Sequence, residues 1–360
     1  PTRRSSDLAA IKTAEPFLPA GTVIAREQTY VHTFYKKEAT AQQPATSKEE
    51  GNLVAFSGPD FKATFDKQSG LLTSYLYKKH EYILNGQGPR PFFWRAPTDN
   101  DYGANLPVRL KAWKEASYQE PKAESFQVTP GSNATTIKVT YRFPQTDARW
   151  DITYKIYASG VIKVDNRFVA EGDQAPMIPR VGLRMQLPES FTDLTYYGRG
   201  PKENYRDRRT SQFIGEYAIP VKDMYEPYVR PQENNHRTDI YWCALTDKTQ
   251  RGLLLIADRT FELNASNYPL ESMDSGDTID NGAPRTEKTH HRHLTDPLPE
   301  KMVDLFIDYR MMGVGGDDSW GATAHEPYLI RPGKENAIEY GFSLVPFDKK
   351  EDYKYLIRQY

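Results

Sequence analysis

Between residues 136 and 165 apolar and polar side chains alternate almost without a break, and this limits what the chain can fold into. In Thr136-Ile137-Lys138-Val139-Thr140-Tyr141-Arg142-Phe143 every second side chain is apolar, which is the period of a pleated strand whose neighbours point to opposite faces. Trp150-Asp151-Ile152-Thr153-Tyr154-Lys155-Ile156-Tyr157 repeats the pattern, and Ala158-Ser159-Gly160 joins it to Val161-Ile162-Lys163-Val164-Asp165. Strands with one apolar and one wet face pair antiparallel, whereas parallel strands are covered on both faces and read as continuous apolar runs. Upstream, Lys67-Gln68-Ser69-Gly70 supplies hairpin chemistry between strands expected over 61–66 and 71–77. Further strands are expected over 181–187, 194–197, 240–245, 252–257, 303–309 and 339–346. One helix is expected over 107–118, where Val108, Leu110, Ala112 and Trp113 leave a partial apolar face. With no strand–helix–strand alternation and no fixed-period repeat, doubly wound, barrel and solenoid architectures drop out. An all-β chain remains, and 24 Tyr, 16 Phe, 26 Pro and 23 Gly fit strands punctuated by turns.

A hydrophobic fraction of 38% over 360 residues supports a real core, in two ordinary domains or one large one. A formal net charge of -1 offers no basic field for nucleic acid and no polybasic patch for a membrane. No apolar run approaches the roughly 20 residues that span a bilayer, so a soluble protein is expected. The single cysteine, Cys243, rules out an internal disulfide framework, and in Tyr241-Trp242-Cys243-Ala244-Leu245 it reads as a buried strand thiol. Residues 1–8 show no periodicity and read as a non-native leader. Residues 9–36 read as the last strands of an earlier β-sandwich, 37–51 as a linker, 52–350 as the main domain and 351–360 as a tail.

Four loop motifs stand apart from the strand pattern. Arg95-Ala96-Pro97-Thr98-Asp99-Asn100-Asp101 concentrates an arginine and three Asx-type groups, suited to Asx turns and less so to binding a hydroxylated ligand; its spacing fails for calcium. Tyr196-Tyr197-Gly198-Arg199-Gly200-Pro201-Lys202-Glu203-Asn204-Tyr205-Arg206-Asp207-Arg208 lacks nucleotide-loop spacing and suits a buried arginine–acid network, with sugar contact second. In Met224-Tyr225-Glu226-Pro227-Tyr228-Val229-Arg230-Pro231-Gln232-Glu233-Asn234, followed by Asn235-His236-Arg237, amides, an acid, a His and an Arg sit beside aromatics. That mixture makes Glu233, Asn234, His236 and Arg237 candidates for sugar contact. Met312-Gly313-Val314-Gly315-Gly316-Asp317-Asp318-Ser319-Trp320-Gly321 is a glycine-rich turn that presents an indole. On composition alone Trp320 is a packing residue, and the sharper reading is a face offered to a sugar. His290, His291 and His293 lack metal-site spacing and suit a solvated strand edge.

In this order the four motifs resemble the C-terminal domain of the large β-galactosidases of glycoside hydrolase family 2, over roughly residues 52 to 347. The resemblance implies an antiparallel supersandwich similar to galactose mutarotases, preceded by the final strands of an immunoglobulin-like sandwich. It implies a retaining hydrolysis by two glutamates on a catalytic barrel earlier in the polypeptide, about 5 Å apart. This sequence has no Asn-Glu dipeptide of the family's acid/base type, so no catalytic residue is assigned to it. Magnesium and sodium, which the family uses near the barrel, have no expected ligands here, and neither metal nor cofactor is assigned to this chain. The resemblance carries Trp320 over as a residue that stacks on the sugar at the mouth of the active site, with Asp317, Asp318 and Ser319 shaping its loop. Two departures are local: Asn235-His236 stands where a Gly-containing turn is common, and Ala324-His325-Glu326-Pro327 scrambles a Thr-His-Pro-Glu order.

The expected function is therefore that of a β-galactosidase fragment, non-catalytic alone. Its expected partners are a β-galactoside, the barrel and sandwich domains of the same polypeptide, and a second copy of itself in a homo-oligomer. The expected compartment is bacterial cytoplasm or periplasm. Two alternatives stand beside it: a free-standing carbohydrate-binding module, and an aldose mutarotase with His236 and Glu233 as its acid–base pair.

Overall fold

The computed structural model describes residues 2–33, 43–171, 177–276, 293–318, 321–349 and 351–359. Two compact units emerge, residues 1–40 with 358–360 and residues 41–357. In the first, β1 (Thr2–Ala10) pairs antiparallel with β2 (Val23–Thr33). Leu8, Val23 and Ile24 on this ribbon are open to solvent. Residues 2–8 thus form a strand that their side chains do not announce, because ladder pairing is made by the backbone.

The second unit begins with a five-stranded antiparallel meander. Its strands are β3 (Thr46–Glu50), β4 (Leu53–Ser57), β5 (Phe61–Asp66), β6 (Leu72–Tyr77) and β7 (His80–Glu81). The stretch expected as a linker therefore carries β3, and Ala45 beside it is buried, its N–H donating to Ile156 O at 3.4 Å. After β8 (Arg90–Phe92) come three short helices, α1 (Asp99–Gly103), α2 (Leu106–Arg109) and α3 (Lys111–Tyr118). The single helix expected over 107–118 is interrupted at Leu110, which is fully buried and leaves helical geometry (φ -112°, ψ 17°). Of the expected apolar face Leu110 and Trp113 are buried, Trp113 lying on Phe93 at 5.1 Å, whereas Val108 on α2 is exposed.

The remaining strands are β9 (Ala123–Thr129), β10 (Thr135–Phe143), β11 (Ala148–Ile156), β12 (Ile162–Ala170), β13 (Arg180–Pro188) and β14 (Asp193–Gly200). They continue with β15 (Phe213–Pro220), β16 (Arg237–Thr246), β17 (Gly252–Ser266), β18 (Met302–Met311) and β19 (Ile338–Phe347), before α4 (Tyr353–Gln359) in the stretch expected as a tail. With β8 they make a 12-stranded sheet, whose main path runs β15-β14-β16-β17-β19-β12-β11-β10-β9. β17 is the branch point: residues 252–257 pair with β19 and residues 262–266 with β18, across an exposed bend at Asp258 and Arg259. Beyond β18 the sheet continues through β13 to β8. Every pairing is antiparallel, so the all-β supersandwich holds.

The alternation read from the sequence sorts the faces of the sheet. On β11, Ala148, Trp150, Ile152, Tyr154 and Ile156 are buried, while the residues between them are half-exposed. Tyr154 packs edge-on against Phe65 of the meander at 5.0 Å, and Trp150 and Phe168 pack with Phe93 below α3. Each fully buried aromatic of this kind contributes roughly 1.5–3 kcal/mol. The wet face, carrying Arg149, Asp151 and Thr153, lines a groove of about 950 Å³ bounded also by parts of β17, β18 and β19.

Candidate functional site

The first motif caps a helix. Asp101 N–H donates to Thr98 Oγ1 at 3.1 Å and Thr98 N–H to Asp101 Oδ2 at 3.0 Å, a reciprocal capping box where Asx turns were expected. The same carboxylate takes Arg95 in two bonds, Nε to Oδ2 at 3.0 Å and Nη2 to Oδ1 at 2.7 Å. Burial works against the charge of Arg95, but Asp101 outweighs it and holds the guanidinium above its ordinary value. The remaining Arg95 donors reach Met312 O at 2.7 Å and Gly313 O at 3.0 Å. The first motif therefore grips the root of the glycine-rich loop.

The second motif grips it from the other side. Asp207 Oδ1 accepts from Val314 N–H at 3.2 Å and Oδ2 from Gly315 N–H at 2.7 Å, while Asn100 Nδ2 donates to Val314 O at 3.3 Å. Glycine is required at 313, since a Cβ there would stand 2.6 Å from Asp207 Oδ2 and 2.8 Å from Ala324 Cβ. Further along, Asp318 Oδ1 accepts from Ala322 N–H at 3.3 Å and exposed Asp317 contacts His325 Nε2 at 2.9 Å. Ser319 and Trp320 lie outside the described residues, as do His290 and His291. His293 is exposed in a turn, its N–H donating to Asp296 Oδ2, and not on a strand edge.

The third motif packs against the second through Glu203, whose carboxylate accepts from Arg208, Tyr228 OH and, at 2.7 Å, Asn235 N–H. Asn235 has φ +74°, a left-handed conformation that asparagine tolerates better than most residues. That accounts for Asn at a turn where glycine is common. Glu233 is buried with Arg180 Nη2 at 3.6 Å and Asn264 Nδ2 at 3.3 Å; burial pushes its carboxyl up against the pull of Arg180. Asn234 is buried and bonds Gln232 O and Glu226 N–H.

His236 and Arg237 need correcting as candidates for direct contact. His236 has no exposed surface: Nε2 meets Glu262 Oε2 at 3.0 Å and the ring stacks on Tyr205 at 5.4 Å. Arg237 is also sealed, donating to Asn235 O and His236 O. Both are buried, and Arg237 holds the backbone of residues 235–236. Cys243 on β16 is buried and unbridged, its thiol pushed up by burial.

These bonds bring the four motifs around one cleft of about 240 Å³. Asp99 and Asn100 come from the first, Tyr205 and Arg208 from the second, Tyr228 and Glu233 from the third, and Val314 from the loop. Tyr228, Arg208 and Asn100 were missed as individual residues, although each lies in or beside a motif that the sequence displays. The cleft offers phenol, amide and guanidinium groups, a set suited to a hydroxylated ligand. Among the described residues no cluster of His, Cys, Asp and Glu could hold a metal ion.

Comparison with known proteins places this arrangement. Residues 57–344, which include all four motifs, match the family described as beta galactosidase small chain. The chain is 33% identical over 291 residues to a beta-galactosidase of Priestia megaterium, covering 81% of this chain and 26% of that protein. It is 30% identical over 294 residues to a beta-galactosidase of Halalkalibacterium halodurans, covering 81% and 27%. The beta-galactosidase of Lactobacillus delbrueckii subsp. bulgaricus is 32% identical over 308 residues, covering 83% and 28%. The chain belongs to the beta galactosidase small chain family. It spans about a quarter of the length of the curated relatives it matches. Among solved structures, galactose 1-epimerase from Lactobacillus acidophilus NCFM superposes with a TM-score of 0.45 at 6% identity, covering 86% of this chain and 99% of that one. A likeness so distant says nothing about what this chain does.

Proposed function

We propose that this chain is the C-terminal region of a β-galactosidase, inactive alone, whose glycine-rich loop completes the sugar pocket of the whole enzyme. The observation that carries the reading is the double grip of Arg95 and Asp207 on residues 312–315, the root of the loop that bears Trp320. A loop fixed by charged side chains from two other motifs can present an indole with little conformational freedom left to lose on binding. Trp320 stacks on the galactose ring, and the rest of the enzyme supplies the two glutamates, the magnesium and sodium ions and the floor of the pocket. The preceding sandwich and barrel domains are the partners, and a homo-oligomer is compatible with the reading.

An aromatic contact of this kind contributes about 1 kcal/mol, or roughly fivefold in affinity. In the whole enzyme Trp320→Ala should therefore raise KM for galactosides several-fold while kcat changes less. An unchanged KM across different aglycones would remove Trp320 from the pocket. The mutarotase reading leans on His236 and Glu233, and the sealed position of His236 behind Tyr205 speaks against it; the binding-module reading rests on the region 225–236. Calorimetry of the isolated chain with galactose, and polarimetry of anomer interconversion, would revive one or the other if either gave a signal.

A further inference from the structure

The groove on the wet face of the large sheet lies outside the cleft just described, and its chemistry is different. At about 950 Å³ it falls within the roughly 300–1,000 Å³ typical of ligand sites. Six cationic side chains face four acidic ones along it, in a chain whose formal net charge is -1. The acids are already engaged: Asp151 by Arg149 at 2.8 Å, Glu339 by Arg167 at 3.5 Å, and Asp165 and Asp258 by Lys163 at 2.6 and 2.7 Å. Among the described residues, three of the groove's cations, Lys138, Arg259 and Arg310, have no carboxylate partner, which leaves the groove with unmatched positive charge.

Two further observations point to a ligand there. Arg206 reaches Glu262 with Nη1 at 3.2 Å, yet its Nε and that of Arg310 are buried and donate to no protein acceptor. Buried donors are rarely left unpaired, and a guanidinium matches a carboxylate or phosphate in paired bonds. Beside them the half-exposed rings of Tyr309 and Tyr340 stand 6.0 Å apart, with the Arg310 guanidinium 5.2 Å from the Tyr309 centroid. Aromatic faces flanked by hydroxyls such as Thr153 and Thr260 suit a sugar ring.

We infer that this groove binds an anionic saccharide, with Arg206, Arg259 and Arg310 taking its carboxylate or phosphate and Tyr309 and Tyr340 flanking the ring. The inference does not depend on the role of Trp320. Calorimetry of the chain with galacturonate, galactose 6-phosphate, galactose and inorganic phosphate tests it. One or both acidic sugars should bind at least tenfold more tightly than galactose, with the galacturonate and galactose 6-phosphate arms telling carboxylate from phosphate. Arg310→Gln should abolish that preference, and Arg259→Gln on the exposed bend should weaken it. Equal binding of neutral and acidic sugars, or full retention in both arginine variants with their fold checked by circular dichroism, would overturn the site. Inorganic phosphate binding as tightly as the sugar phosphate would overturn the saccharide assignment.

Discussion

The cleft and the groove both hold arginines, but those arginines are used in opposite ways. Behind the cleft Arg95 donates to Asp101, Met312 and Gly313 and is sealed from solvent. In the groove Arg310 lies half-exposed over a tyrosine ring, with its Nε unpaired by protein. One arginine is structural because all three of its nitrogens donate to other parts of the chain; the other retains capacity for something outside it. Residue type alone does not separate the two roles, nor does an unpaired donor, since the sealed Arg237 also leaves its Nε unpaired; an unpaired donor on a half-exposed side chain does.

Breaking that comparison begins with the committed arginine. Arg95→Ala would strand the buried Asp101 carboxylate, and removing one partner of such a pair costs roughly 3–5 kcal/mol. The urea midpoint should fall accordingly, and a shift below about 0.5 kcal/mol, the usual range of surface substitutions, would show that the grip is dispensable. Next comes Asp308, which faces Arg180 at 3.2 Å with neither residue exposed. Burial raises its pKa from 3.8 to about 7, with Arg180 and His236 pulling down and Glu262 and Glu233 pushing up. Between about pH 4 and 7 the folded chain holds a proton that the unfolded chain releases, so this contribution is full below that window and lost as pH rises through it. Urea midpoints taken across the window should decline in the wild type more than in Asp308→Asn; parallel curves would place the Asp308 pKa near its ordinary value.

Asp207→Ala removes two bonds to the loop backbone and should cost about 1–3 kcal/mol. Limited proteolysis should then cut near residues 313–318, and unchanged cleavage would mean that Arg95 alone fixes the loop. Arg310→Gln, the counterpart of Arg95→Ala, should leave the urea midpoint within about 0.5 kcal/mol, because no carboxylate is stranded. A large loss there would erase the distinction between the two regions. Smallest of all, Arg331→Ala breaks an exposed pair with Glu326 and should produce no measurable shift in the urea midpoint.

The strands were legible where one face is apolar and the other wet, as on β10, β11 and β12. β16 and β17 run longer than the apolar pattern, for different reasons. The polar start of β16 is buried because Asn204 bonds both the N–H and the hydroxyl of Thr238. The second half of β17 follows the exposed Asp258–Arg259 bend, where the apolar run breaks before pairing resumes with β18. α1 was hidden because a capping box and an Asx turn draw on the same residues. The cleft was legible as four motifs but not as a set of contacts. Nothing in Asn235-His236-Arg237 announces that Glu262 and Tyr205 will seal it, since those partners arrive from other elements. The groove was implicit in the wet positions of the alternating strands, but the pairing that leaves Arg310 and Arg259 without acids is set only by the assembled sheet.

The most direct test removes the matching 291-residue region from the Priestia megaterium beta-galactosidase and supplies this chain in its place, co-expressed as a separate polypeptide. Hydrolysis of a chromogenic β-galactoside should be absent from either part alone and appear when both are present, with a higher KM when the added chain carries Trp320→Ala. Hydrolysis by this chain alone, or by the truncated enzyme as fast as by the pair, would contradict the account.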